Sequence, residues 1–285
     1  MPVYIISRRS FLQTASAAFA GSLTLPLFAQ GKDIKKKKAG NHKADVVFDN
    51  YSGHYSLRAI TPILDKYRVP AGSIRPDTWT LTYDMYISVP GRSASEKQVS
   101  AVAGILQLGR KADAYQMIHK LCKNMAESVC TETSISADET GTLGWKANRS
   151  FTLPGQTLPA FEEKAMLEKN TLKLSKQKIA YALELSKNLV SLPHLVHGMM
   201  KKNFPASFSF LDEQCAVWDE QVAKTAETIS ISCASGSHKL AGVHQHGRGQ
   251  HPAHYWLDDR GIPIFITRGM RSYALAEIGG DSHGE

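Results

Sequence analysis

Eleven histidines occur in this chain, and five of them crowd into the stretch from His238 to His254. His244 and His246 stand two apart, a spacing that puts both rings on one face of a strand. His251 and His254 stand three apart and can converge on a turn. Neutral imidazole is a good ligand for zinc, copper or iron, so His244, His246, His251 and His254 form a candidate metal-ligand set. Gly242, Gly247 and Gly249 would let the backbone wrap closely around an ion, and Asp258 and Asp259 could orient an imidazole. The spacing matches no His-Glu-x-x-His motif. The competing reading is a polar loop whose histidines are merely solvated.

A second pair, His194 and His197, shares one face if the segment around it is helical; its Leu and Val neighbours also suit core histidines. Ser235-Gly236-Ser237-His238 places serine near histidine without a Gly-x-Ser-x-Gly elbow, so a hydrolase reading is weak. The four cysteines, Cys122, Cys130, Cys215 and Cys233, form no Cys-x-x-Cys pair; two disulfides or four free thiols both fit the sequence. No Gly-x-Gly-x-x-Gly or Walker-type loop is present, and nucleotide cofactors are not supported. Arg268 and Arg271 could bind an anion. The aromatic residues of Thr78 to Val89 would line either a ligand cavity or an ordinary core.

The elements that must position these residues follow from periodicity. Thr78 to Val89 alternates strictly and is rich in β-branched and aromatic residues, which predicts a strand. Asp45 to Asp49, Thr228 to Cys233 and Ser272 to Ile278 read as shorter strands. Tyr255 to Leu257 and Ile262 to Thr267 flank Asp258-Asp259-Arg260-Gly261, a hairpin signal. Residues 131–160 hold short strands joined by turns. Helical spacing is read in Tyr55 to Tyr67 (against Pro62), Ser95 to Met125, Phe161 to Met200 and residues 211–227. Strands toward both ends with helices between them predict an α+β fold, an antiparallel and curved sheet packed with several helices.

The amino terminus reads differently. Ser7-Arg8-Arg9-Ser10-Phe11-Leu12-Gln13 precedes a moderately apolar run from Thr14 to Phe28, ending in Leu27-Phe28-Ala29. This segment resembles a twin-arginine signal peptide, with Gln13 in place of the usual final lysine. The resemblance implies that residues 1–29 are a leader cut after Ala29. It also implies the Tat translocase as a transient partner, a periplasmic protein, and a raised prior for a bound metal. Residues 30–44, with Lys32 and Lys35 to Lys38, form a basic linker, and 45–280 form one globular domain.

The net charge is +8, with 42% hydrophobic and 21% charged residues. Much of the charge sits in the lysine tract, so nucleic-acid binding is not expected. No apolar stretch beyond the leader is long enough to span a bilayer. The expectation is an exported protein that binds zinc, copper or iron through its histidine cluster. The alternative is a non-catalytic accessory or small-ligand-binding protein without metal.

Overall fold

The computed structural model describes residues 46–48, 57, 60–87, 101–122, 127–177 and 179–279. The leader, the linker and the region around Ser95 lie outside them. Two hairpin series dominate the fold. The first comprises β2 (Thr78–Ile87), β3 (Gly104–Lys111), β4 (Ala114–Cys122), β5 (Ser128–Ala137), β6 (Thr142–Leu153), β7 (Gln156–Glu168), β8 (Thr171–Lys176) and β9 (Ile179–Glu184). The second comprises β11 (Ser207–Leu211), β12 (Val217–Cys233), β13 (Gly236–Gly247), β14 (Ala253–Leu257), β15 (Pro263–Arg268) and β16 (Arg271–Gly279). Pairing of β16 with β2 joins them into a 16-stranded sheet. A short strand β10 (Leu189–Ser191) runs parallel to β11, and β1 (Val46–Phe48) pairs with the far half of β12. Helix α1 (Leu192–Met200) is the only α-helix among the described residues.

The α+β expectation is therefore overturned: the protein is nearly all β. Three predicted helical regions are strands. The segment from Gly104 to Cys122 is the β3–β4 hairpin, with Leu106, Leu108, Tyr115, Met117 and His119 facing inward at every second residue. Phe161 to Glu184 is β7, β8 and β9, and residues 217–227 are the first part of β12. The cause is the same each time. Lys and Glu on the outward positions are good helix formers, and strands that bury one face in short runs between tight turns leave apolar residues three and four apart by coincidence. The turns decide the matter: Ala112, Lys169 and Gln177 all adopt positive φ, which stops each strand and reverses the chain. Among its described residues, Tyr55 to Tyr67 contains one 3-10 turn, Thr61–Ile63, whose Pro62 sits at the start where a missing N–H costs nothing.

The sheet curls on itself. Ser191 N–H at the end of β10 donates to Thr142 Oγ1 on β6 at 3.0 Å. Arg149 Nη2 on β6 donates to Gln214 O at 3.0 Å, and the Thr133 hydroxyl on β5 lies 3.2 Å from Cys215 Sγ. Strands far apart in the hydrogen-bonded order thus meet across a seam, and β7 to β9 continue past it. Inside lie Trp79, Tyr83, Phe208, Phe210, Tyr255 and Tyr273, all essentially inaccessible. The aromatic side chains of Trp79, Tyr83 and Met85's strand are core. Tyr67 packs against Phe265 on the outer face, with ring centroids 5.1 Å apart.

Candidate functional site

The interior carries one buried charged cluster. Glu213, in the turn after β11, accepts from Arg268 Nη1 at 2.6 Å, Arg271 Nη1 at 3.1 Å and the Tyr273 hydroxyl at 3.2 Å. Burial alone would raise its pKa, but Arg268, His119 and Arg271 hold the carboxyl down at about 2. The anion of Arg268 and Arg271 is thus the protein's own glutamate. His119 lies 3.4 Å from the Tyr273 hydroxyl, and burial pushes it down to about 4. The shared carboxylate makes the cluster a brace between the β11–β12 turn and the β15–β16 hairpin, although Arg268 Nε is buried without a partner.

A different arrangement occupies one end of the barrel. Helix α1 begins after Ser191 with Pro193 in its first turn and buries Leu192, Leu195, Val196 and Met199. Its remaining face turns His194 and His197 toward β3 and β4. Together with the β3–β4 and β5–β6 turns, the helix borders a solvent-open cavity of about 670 Å³, lined among others by Arg110, Asp113, Tyr115, Asp138, Glu139, His194, His197 and Lys201. The pairing of Ala114 with Ser136 brings the two turns side by side at this end of the sheet.

The hydrogen bonds on the cavity floor fix its chemistry. Arg110 Nη1 lies 2.8 Å from His197 Nε2 and 3.2 Å from Nδ1, while the Tyr115 hydroxyl lies 2.6 Å from Nδ1. A guanidinium against the ring disfavours a second positive charge there, so His197 is held neutral. Tyr115 and His197 Nδ1 share one hydrogen bond, whose donor is set by the ring's tautomer. Burial first and Arg110 second push His197 down to about 4, in agreement with a neutral ring.

His194 stacks on Tyr115 with ring centroids 5.4 Å apart and planes 15° from parallel. Its Nδ1 is buried without a partner. Burial lowers its pKa, Asp138 opposing and Arg110 reinforcing. Asp138 Oδ1 accepts from Thr140 N, Thr140 Oγ1 and Gly141 N, which closes the turn and keeps the carboxylate ionised.

Of the four histidines proposed as ligands, three come together. His244 on β13 faces His254 on β14, with centroids 4.5 Å apart and planes 5° from parallel. His246 lies 5.2 Å from His244, and His254 stacks on Trp256 at 6.0 Å. His244 Nε2 is buried without a partner, and burial lowers the pKa of His244 and takes that of His254 down to about 4. His251 is exposed in the β13–β14 turn beside Gly269 and does not join the stack. An ion lies in the plane of each imidazole that binds it, and two near-parallel stacked planes share no such point. Among the described residues no group of three or more His, Cys, Asp or Glu is disposed to hold a metal.

Ser235 Oγ lies 3.0 Å from His238 Nε2 in an exposed turn. All four cysteines are free thiols. Cys215 sits beside Thr133, and Cys233 beside Ser235 and Gly236 at the other end of β12, roughly 50 Å away along a strand of this length. Cys122 and Cys130 are diagonal neighbours on β4 and β5, typically about 7–8 Å apart and too far for a bond without backbone movement.

Sequence reasoning found His194 and His197 but missed Arg110, Asp113, Tyr115, Asp138, Glu139 and Lys201. The one local signal was Asp138-Glu139-Thr140-Gly141, whose Asx turn announces a strand reversal.

No protein-family model matches the chain, and no curated protein matches it. Among solved structures, a β-barrel-like protein of the domain of unknown function DUF1849 from Brucella abortus is similar over 73% of this chain and 100% of that one. The sequence identity is 11% and the TM-score 0.48.

Proposed function

We propose that this is a non-catalytic, small-ligand-binding protein, exported by the twin-arginine route, that takes its ligand in the cavity beneath α1. One observation carries the reading: a cavity of about 670 Å³ on whose floor His194 Nδ1 is buried without an internal partner. That volume lies in the usual range for small-molecule sites, about 300–1,000 Å³. Buried polar groups left open inside a protein are costly unless something else completes them.

The test is a thermal-shift and NMR screen of the full chain against small polar metabolites, repeated with Ala137→Trp, which fills the cavity from its rim. Hits lost in the filled variant support the reading. Hits that persist unchanged, or none at all, end it. His194→Phe keeps a ring against Tyr115 but removes the open Nδ1, and should weaken binding about tenfold, the worth of one hydrogen bond of about 1.4 kcal/mol.

A transition metal on His244, His246 and His254 is the second reading, favoured by the unpartnered Nε2 of His244 next to two further rings. It requires His244 or His254 to rotate out of the stack. Zinc or copper taken up stoichiometrically, and lost in a His244→Ala, His246→Ala double variant, would establish it. A chain that stays metal-free at micromolar zinc and copper would discard it.

A further inference from the structure

The last strand of the sheet is open on one side. β9 pairs with β8 and ends the strand order, so among the described residues no strand pairs with its other side. The opposite end of the order is closed: β10 has three residues, and its Ser191 N–H is taken by Thr142 Oγ1 across the seam. The backbone pattern tells which groups of β9 look outward. Leu185 N, one residue beyond β9, donates to Asn170 O at 2.8 Å, in register with the Thr171–Glu184 pair. Bonded and non-bonded pairs alternate along an antiparallel ladder. Leu183, Tyr181 and Ile179 therefore bond to β8, while Ala180, Ala182 and Glu184 turn their N–H and C=O groups to the open side. The side chains alternate in step. Tyr181 and Leu183 lie beside the buried Leu174 and Leu172, and Ile179, on the same face, is 66% exposed. Ile179 to Leu183 holds no charge, no proline and no bulge, the devices that stop an edge strand from pairing.

We propose that β9 is a dimerisation edge, occupied by β9 of a second copy of this chain. Ile179-Ala180-Tyr181-Ala182-Leu183 reads large, small, aromatic, small, large in both directions. A twofold axis requires that self-complementarity of an interface that meets itself, and an unrelated strand would not share it. Antiparallel pairing centred on Tyr181 sets Ala180 against Ala182 of the second copy, so that the outward backbone groups of both exchange hydrogen bonds. Ile179 then meets Leu183 of the second copy, and Tyr181 meets its own counterpart. These residues stand at the non-bonded positions, where side chains across a ladder come closest. Moving the axis to Ala182 would set Ile179 against Leu185, which is already buried in the core, and Glu184 against Ala180. The pairing extends the sheet of one copy into that of the other.

Sedimentation velocity of the full chain, from about 1 to about 100 μM, tests this and should show a monomer–dimer equilibrium with a micromolar Kd. Ala180→Pro removes an outward N–H without touching a bond to β8. It should leave the thermal melt of the monomer unchanged and weaken the dimer about tenfold or more, one lost edge contact of about 1.4 kcal/mol. Ile179→Lys, at an exposed position, should weaken it similarly. Met166→Lys, 61% exposed on β7 and away from the edge, should leave it unaltered. Under oxidation, chains carrying Ile179→Cys should cross-link to chains carrying Leu183→Cys, identified by mass spectrometry of the joined peptides. A chain still monomeric at the highest concentration overturns the proposal. So does a dimer indifferent to Ala180→Pro and Ile179→Lys, one that Met166→Lys weakens as much, or one that yields no mixed cross-link.

Discussion

His197 is held neutral by its burial and by Arg110 standing against its ring on the cavity floor. Glu213 shows the same logic with opposite charge: two guanidiniums and a phenol hold it as an anion deep inside the barrel. Removing it in Glu213→Ala would strand Arg268 and Arg271 without their shared partner. Chemical denaturation should register a loss of about 3–5 kcal/mol, the cost of breaking a buried pair. His119 makes a pH prediction. The unfolded chain takes up its proton near the ordinary value of 6.5, the folded chain only near about 4. The unfolded state therefore binds more protons between these values, and stability falls as pH drops through that window, by up to about 3 kcal/mol from this residue. Glu213, held at about 2 instead of 4.5, adds a further loss between pH 4.5 and 2. His119→Gln should make the stability-against-pH curve shallower between pH 6.5 and 4, where His197 and His254 also contribute.

At the scale of elements, the decisive feature is the seam where β10 meets the β5–β6 turn and β6. A Cβ on Gly141 would come within 2.6 Å of Leu189 O, closer than real side chains approach a carbonyl. Gly141→Ala should therefore push the seam apart, costing about 1–3 kcal/mol as overpacked sites do. Hydrogen exchange should rise first in Leu189 to Ser191, ahead of β2 to β4. Individual strands were legible where one face is buried over a long run. Thr78–Ile87 alternates for ten residues and folds as it reads. The hairpin around Asp258 and Gly261 is equally plain, because Asp258 Oδ1 accepts from Arg260 N and Ile262 N and Gly261 takes φ +80°. Phe161 to Glu184 was not legible. Its Lys and Glu residues satisfy helix propensity, and nothing local reports the neighbouring strands that make the extended form better.

For the whole molecule, the export proposal rests on residues 1–29, which lie outside the described structure. Arg8→Lys with Arg9→Lys should leave the precursor uncut in the cytoplasm, whereas the unaltered chain should yield a mature amino terminus at Gln30; fractionation and amino-terminal sequencing decide it. By itself the sequence determined the long alternating strands, the Asp-Gly hairpin, the shared face of His194 and His197, and the adjacency of His244 and His246. Each of these depends on spacing along a few residues. The tertiary structure alone decided that the fold is a curled sheet, that His251 stays apart from the other three histidines, and that the polar cavity lies under α1. Arg110 and Tyr115 reach His197 across 87 and 82 residues, and Arg268 reaches Glu213 across 55. Contacts of that separation arise only when the sheet closes, because the free energy that closes it comes from burying one continuous apolar face, and no short window of sequence contains that face.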